Sequence, residues 1–202
     1  DIKEYSRLLS IFSNIVPEIA VKKKQSDERI SELTILYKLI RMMNSTLDLK
    51  EVLSYAMRFM VKFLKANDCS VVVFENKKRY FLKKVVDIKF ERMLEKKITE
   101  TKRLLIIGDI QSETGFKVGD GYNSVIAFPL KVRQELIGVM YIYGEYMNLR
   151  RKELRFVSVV ADQLAIAIAH AQQYEQIKQL AVVDKLTGLF NRRYFMELLE
   201  RE

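Results

Sequence analysis

The sequence predicts an α+β fold: an antiparallel sheet flanked by helices, with long helical segments at both ends of the chain. Three observations carry that expectation. Residues 27–64 and 149–183 repeat apolar side chains every three or four positions. Between residues 70 and 143 the pattern changes to short Val- and Ile-rich runs joined by polar turns. With only 7 Gly and 2 Pro in 202 residues, there is little material for long irregular loops.

Residues 1–26 form the first segment. Ile2, Tyr5, Leu8, Leu9, Phe12, Ile15 and Val16 give an amphipathic helix, which Pro17 and the run Lys22-Lys23-Lys24 are expected to interrupt. Its apolar face needs a partner, either a twin chain or an upstream domain. A second helix is expected from Ser26 or Asp27, with Ile30, Leu33, Tyr37, Ile40 and Asn44 forming a coiled-coil-like seam. Asp48 followed by Glu51 is a capping box that opens a third helix through Leu64.

Strands follow at about 70–75 and 80–86, then a helix at 89–101 and a short strand at 104–107. Residues 111–122 read as irregular, and 125–132 with 136–143 read as a hairpin around Arg133-Gln134-Glu135. The last helix, about 149–183, carries two apolar stripes. Leu154, Val157, Ala161, Leu164, Ile168 and Ala171 would face the sheet. Phe156, Val160, Ala167, Tyr174 and Ala181 would face the same helix of a second chain, making a homodimer.

Composition narrows the chemistry. The single cysteine, Cys69, rules out an intrachain disulfide and fits a reducing cytoplasm. No run is read as apolar enough to span a bilayer, and no signal peptide opens the chain. Its first residue is Asp1, so a longer parent is expected. The net charge of +9 concentrates between residues 76 and 103, where eleven Lys or Arg face four Asp or Glu. A solvated surface is the expected meaning, with an anionic ligand or nucleic acid as the alternative. Few aromatics interleave the basic residues, so nucleic acid is not expected as a partner.

The block Ser124-Val125-Ile126-Ala127-Phe128-Pro129-Leu130, the strand Leu136 to Ile142 and the run Ala165-Ile166-Ala167-Ile168-Ala169-His170-Ala171 resemble the GAF family. Thr46 to Leu53 resembles that family's opening helix. Pro129 suits a place where a strand leaves the ladder and needs no N–H, and Gly138 is expected to let the next hairpin strand approach closely. The resemblance implies a sensory domain over residues 27–172 and a coiled-coil signalling helix over 173–183. Residues 184–202 hold a second, sharper resemblance. Asp184, Leu186, Thr187, Gly188, Leu189, Asn191, Arg192 and Arg193 match the opening motif of GGDEF domains, which implies a covalently linked diguanylate cyclase output domain. The chain ends before any catalytic loop of that family, so no catalysis is expected of it.

The GAF resemblance also implies a pocket between the sheet and residues 104–123. Strand parity turns Ser70, Val72, Phe74, Tyr141 and Tyr143 toward it, and Asp109 and Ser124 add polar contacts. Whether that pocket is open or filled by its own side chains is left even. Gly144-Glu145 and Lys152-Glu153 stand where cyclic-nucleotide-binding members carry Asn-Lys and Asp-Glu, so cyclic nucleotides are not expected. Bilin would need an attachment cysteine elsewhere, and the lone His170 lacks a partner for haem or another metal. No cofactor is therefore expected, and a small-molecule signal of unknown identity remains. A ligand-free dimerisation module is the alternative function.

Overall fold

The computed structural model describes residues 2–43, 45–83, 87–119, 121–145 and 149–182. The motif from Asp184 to Arg193 lies outside the described residues. The chain divides into two compact units, residues 1–39 and 40–202.

The first unit consists of one helix, α1 (Ile2–Met43), whose last residues enter the second unit. No break occurs at Pro17, at the lysine run or at Asp27, which corrects the expected division after residue 26. A mid-helix proline removes one N–H from the ladder, and a single missing bond need not end a long helix. Lysine ranks among the good helix formers, so Lys22–Lys24 interrupts the apolar pattern without interrupting the backbone.

In the second unit α2 (Leu49–Leu64) starts at Asp48, whose carboxylate accepts hydrogen bonds from the Lys50 and Glu51 amides. It stops at Lys65, which turns left-handed with φ 52°. The strands are β1 (Asp68–Val73), β2 (Lys78–Phe81), β3 (Leu105–Ile107), β4 (Ser124–Val132) and β5 (Glu135–Gly144). Every pairing is antiparallel, in the spatial order β2-β1-β5-β4-β3. Helix α3 (Ile88–Thr101) links β2 to β3. A short α4 (Ile110–Thr114) sits in the stretch expected to be irregular, where Asp109 caps it and Gly115 ends it. The long α5 (Arg151–Val182) closes the domain.

Alternation along the strands divides the core into two faces. Val71, Val73, Phe128, Leu130, Met140 and Ile142 are buried on the side where α2 and α5 lie. Ala161, Ala165 and Ala171 keep that face of α5 small, so the helix backbone can approach the sheet. Phe59 and Phe63 of α2 stack with Phe156 of α5, the last two with ring centroids 4.5 Å apart. On the other face Phe90, Leu94 and Ile98 of α3 pack over Val72, Val139, Tyr141 and Tyr143.

The two expectations for strand residues need adjusting: β4 runs on past Pro129, which pairs with Val139 of β5, and the strand that comes close at Gly138 is β1 rather than the hairpin partner β4. Contacts between β3 and β4 end at Ala127, so Pro129 lies where no β3 residue asks for an N–H. Gly138 is the close-approach position: a Cβ built there would stand 2.3 Å from the Val72 carbonyl oxygen.

One membrane expectation needs correcting. The segment Arg151–Lys178 of α5 is long and apolar enough to cross a bilayer. Its apolar length is explained by packing, because Val157, Val160, Leu164, Ala165 and Ile168 are buried in this domain.

Gly138→Ala is expected to destabilise the domain by about 2 kcal/mol or more, since backbone must move to admit the methyl group. Urea unfolding followed by far-UV circular dichroism would measure the loss.

Candidate functional site

Position 91 is set by the face that α3 buries. Phe90, Leu94 and Ile98 define that face, and Glu91, three residues before Leu94 and seven before Ile98, falls on the same side. Its carboxylate is therefore carried into the core, where only 1% of the side chain is exposed. A buried charge of this kind needs partners, and the sheet supplies them. Ser70 Oγ donates to Oε1 at 2.5 Å, and the Tyr143 hydroxyl donates to the same oxygen at 2.9 Å. Arg79 Nη1 on β2 donates to Oε2 at 2.5 Å, and its Nη2 donates to Glu95 one helical turn further along α3. The Tyr141 hydroxyl donates to the Glu91 backbone carbonyl at 3.3 Å.

Two residues of this cluster are cross-strand neighbours, Ser70 on β1 facing Tyr141 on β5. Burial raises the Glu91 pKa above the ordinary glutamate value, against the lowering pull of Ser70, Tyr143 and Arg79. Burial and the adjoining carboxylates hold both tyrosine hydroxyls protonated far above their usual range. Tyr122 forms a satellite pair with Asp68, its hydroxyl donating at 2.9 Å, and its pKa is pushed up to about 12 by burial and that carboxylate.

The residues expected to line a pocket fall into two groups. Ser70, Val72, Tyr141 and Tyr143 come together on the α3 face, with Phe74 packed at its edge. They occupy the space rather than border it: both tyrosines are fully buried. Asp109 and Ser124 lie apart from this cluster. Asp109 is exposed, and its hydrogen bonds from the Ser112 amide and hydroxyl hold its carboxyl below the usual range. Ser124 donates to the Gly144 carbonyl at the sheet margin.

Glu91, Arg79 and Glu95 were not among the expected site residues. The signal was present in the helical spacing of Glu91 on an apolar face, but in charge counting it reads as one more solvated residue. Arg79, likewise counted in the basic run, points inward to the two glutamates.

Open space lies elsewhere. A shallow hollow of about 350 Å³ is bordered by Asp109, Phe116, Tyr122 and neighbouring backbone. A larger cleft of about 730 Å³ lies where the start of α2, the β1–β2 turn and the far part of α5 meet. Asp48, Lys50, Lys78, Tyr80, Tyr174 and Lys178 are among its walls, and Gln176 of α5 donates a hydrogen bond to Glu75 beside it. Its mixed charges suit a polar ligand more than a lipid.

The α5 stripe expected to meet a second chain is also redistributed. Val160 and Ala167 are buried inside this chain, because α2 covers that flank of the helix. Phe156 stacks on Phe63, and Tyr174 is exposed. Ala181 is helical. Among the described residues, the large apolar positions that remain exposed on α5 are Val159, Ile166, Tyr174 and Ile177.

Among the described residues catalytic groupings are sparse. His170 is exposed on α5, and burial pushes the Cys69 thiol well up. Among the described residues no group of three or more His, Cys, Asp or Glu is placed to hold a metal ion.

The GAF domain family model matches residues 48–168. Among solved structures the chain is similar to the GAF domain of a phosphoenolpyruvate-protein phosphotransferase from Acinetobacter, at 18% identity and TM-score 0.61, over 71% of this chain and 95% of that one. It is also similar to a free methionine-R-sulfoxide reductase from Neisseria meningitidis, solved with its substrate, at 14% identity and TM-score 0.60, over 71% and 91%. A bacteriophytochrome from R. palustris matches at 10% identity and TM-score 0.54, over 76% of this chain and 39% of that one. At these identities the likeness is one of fold. No curated protein matches the sequence.

Glu91→Ala is expected to destabilise the domain by about 3 kcal/mol or more, because Ser70 and Tyr143 lose their acceptor and Arg79 keeps only Glu95. Chemical denaturation of the two proteins at neutral pH checks it. The raised Glu91 pKa also fixes a sign. Between the ordinary glutamate value and its own, the folded domain keeps a proton that the unfolded chain has released, so this group's contribution falls as pH rises through that window. Glu91→Gln cannot ionise and is expected to lose that part of the slope. Unfolding of both proteins between about pH 4 and 7 measures the difference.

Proposed function

This chain belongs to the GAF domain family, a family of sensory and regulatory modules, and from that premise we propose that it is a non-catalytic sensor relaying a signal along α5 to an output domain. The observation that carries this reading is the continuity of α5. The helix is buried against the sheet from Val157 to Ala171, then continues as exposed, unbroken helix past Tyr174 and Ile177. A change in packing at the sheet therefore alters the direction or phase of a rigid lever rather than being absorbed in a loop. The cleft beside Glu75 and Gln176 lies at the point where the helix leaves the domain. A ligand there would compete for the contact that ties the helix to the β1–β2 turn.

The motif from Asp184 to Phe195 supports a GGDEF domain as the output, which makes the parent a diguanylate cyclase and this chain its dimerising regulatory part. The ligand-free dimerisation module is the second reading, and the complete burial of Tyr141 and Tyr143 favours it, since that space is already filled.

Thermal unfolding of the chain against nucleotides, amino acids and organic acids separates the two. A true ligand at about one hundred times its Kd is expected to raise the midpoint by roughly 5 °C or more. It is also expected to change the yield of disulfide crosslinking through Ala181→Cys. No shift with any compound, together with a constant crosslink yield, would leave the ligand-free reading standing. Incubation with GTP and magnesium is expected to give no cyclic product, and any product would refute the non-catalytic assignment.

A further inference from the structure

Because α1 is one helix, its two apolar segments share a single phase, and that phase is a heptad. Ile2, Tyr5, Leu9, Phe12 and Val16 step by three and four residues. Ile19 continues the count, Lys23 and Ser26 take the next two places, and Ile30, Leu33, Tyr37 and Ile40 resume it without a slip. Pro17 falls one place after Val16, at an outward position b. A period of 3.5 drifts around a straight helix of period 3.6 and stays on one side only if the helix supercoils about a partner. Within the first unit Ile19, Ile30, Leu33 and Tyr37 are between 59% and 65% exposed. Exposed apolar residues at heptad spacing from Ile19 to Tyr37 make a surface built for another helix.

We propose that α1 forms a parallel, in-register, two-stranded coiled coil with a second copy of this chain, its seam running from Ile2 to Ile40. Three features select this occupant. Lysine at a single a position, here Lys23, is a device that sets register and strand number. In a two-stranded coil its aliphatic stem lies along the seam while the ammonium reaches water, whereas a seam closed by more helices would bury the charge. Lys22 at g and Asp27 at the following e have opposite signs, and a parallel pair brings such positions together twice per dimer. An antiparallel pair would instead set g against g, and Lys22 and Arg29 are both basic. The coil depends on residues 2–40 alone, so it stands or falls separately from ligand sensing.

The test uses the whole chain. Sedimentation at about 50 µM is expected to show a dimer, and a monomer, trimer or tetramer would overturn the proposal. Leu33→Cys, at a seam position d, is expected to form a covalent dimer under mild oxidation that reductant reverses. Ser31→Cys, at an outward b position, is expected to stay monomeric on a denaturing gel. In an antiparallel pair the two copies of position 33 would lie tens of ångströms apart, so absence of the Leu33→Cys crosslink would overturn the parallel register. Leu33→Glu is expected to raise the dimer dissociation constant about 100-fold or more. The near-UV signal of Tyr141 and Tyr143 should be unchanged, which shows that the sheet domain is still folded. A Leu33→Glu protein with wild-type affinity would place the dimer contact elsewhere and sink the proposal.

Discussion

The structure depends on the double pairing of β5. It lies between β1 and β4, so its alternation fixes which face each residue of the domain occupies. A slip of one residue would exchange Met140 and Ile142 for Tyr141 and Tyr143, placing hydroxyls under α5 and sulfur beside Glu91. Gly138 keeps β5 against β1 where a side chain would force them apart. The back face can then be mostly apolar and close to a helix, with Ser124 bonded to the Gly144 carbonyl at its margin. The front face can hold a charge, because two tyrosines and a serine are delivered to it in fixed positions.

Much of this was legible in the sequence for a physical reason: period two and period 3.6 are properties of the backbone that side chains must obey. The hairpin around Arg133, the Asp48 cap and the close approach at Gly138 follow from local chemistry, and the structure shows each of them. The failures share a cause as well. The division of α1 at Pro17 treated a change in side-chain pattern as a change in backbone, although lysines carry a helix readily. Glu91 and Arg79 were counted among solvated charges because a charge census ignores which face each residue takes. The short α4 was hidden because five residues hold too little periodicity to be read, leaving only Asp109 and Gly115 as signals.

Those same facts limit what fold alone can say about function. Solved proteins with this fold include the GAF domain of a phosphotransferase, a methionine sulfoxide reductase and a bacteriophytochrome. What differs among such proteins is the content of the sites they carry, and here the front face is filled by its own side chains. What remains open beside this filled interior is α5, the helix that continues past the sheet as exposed helix.

The filled front face has an evolutionary consequence. Glu91 is already desolvated, Arg79 is aimed at it, and Ser70 supplies a hydroxyl, so the polar lining of a receptor precedes any cavity. Replacement of one tyrosine ring by a smaller side chain would vacate space beside those groups. New recognition in such a lineage would arise by subtraction, with the guest completing a network the protein had once closed by itself.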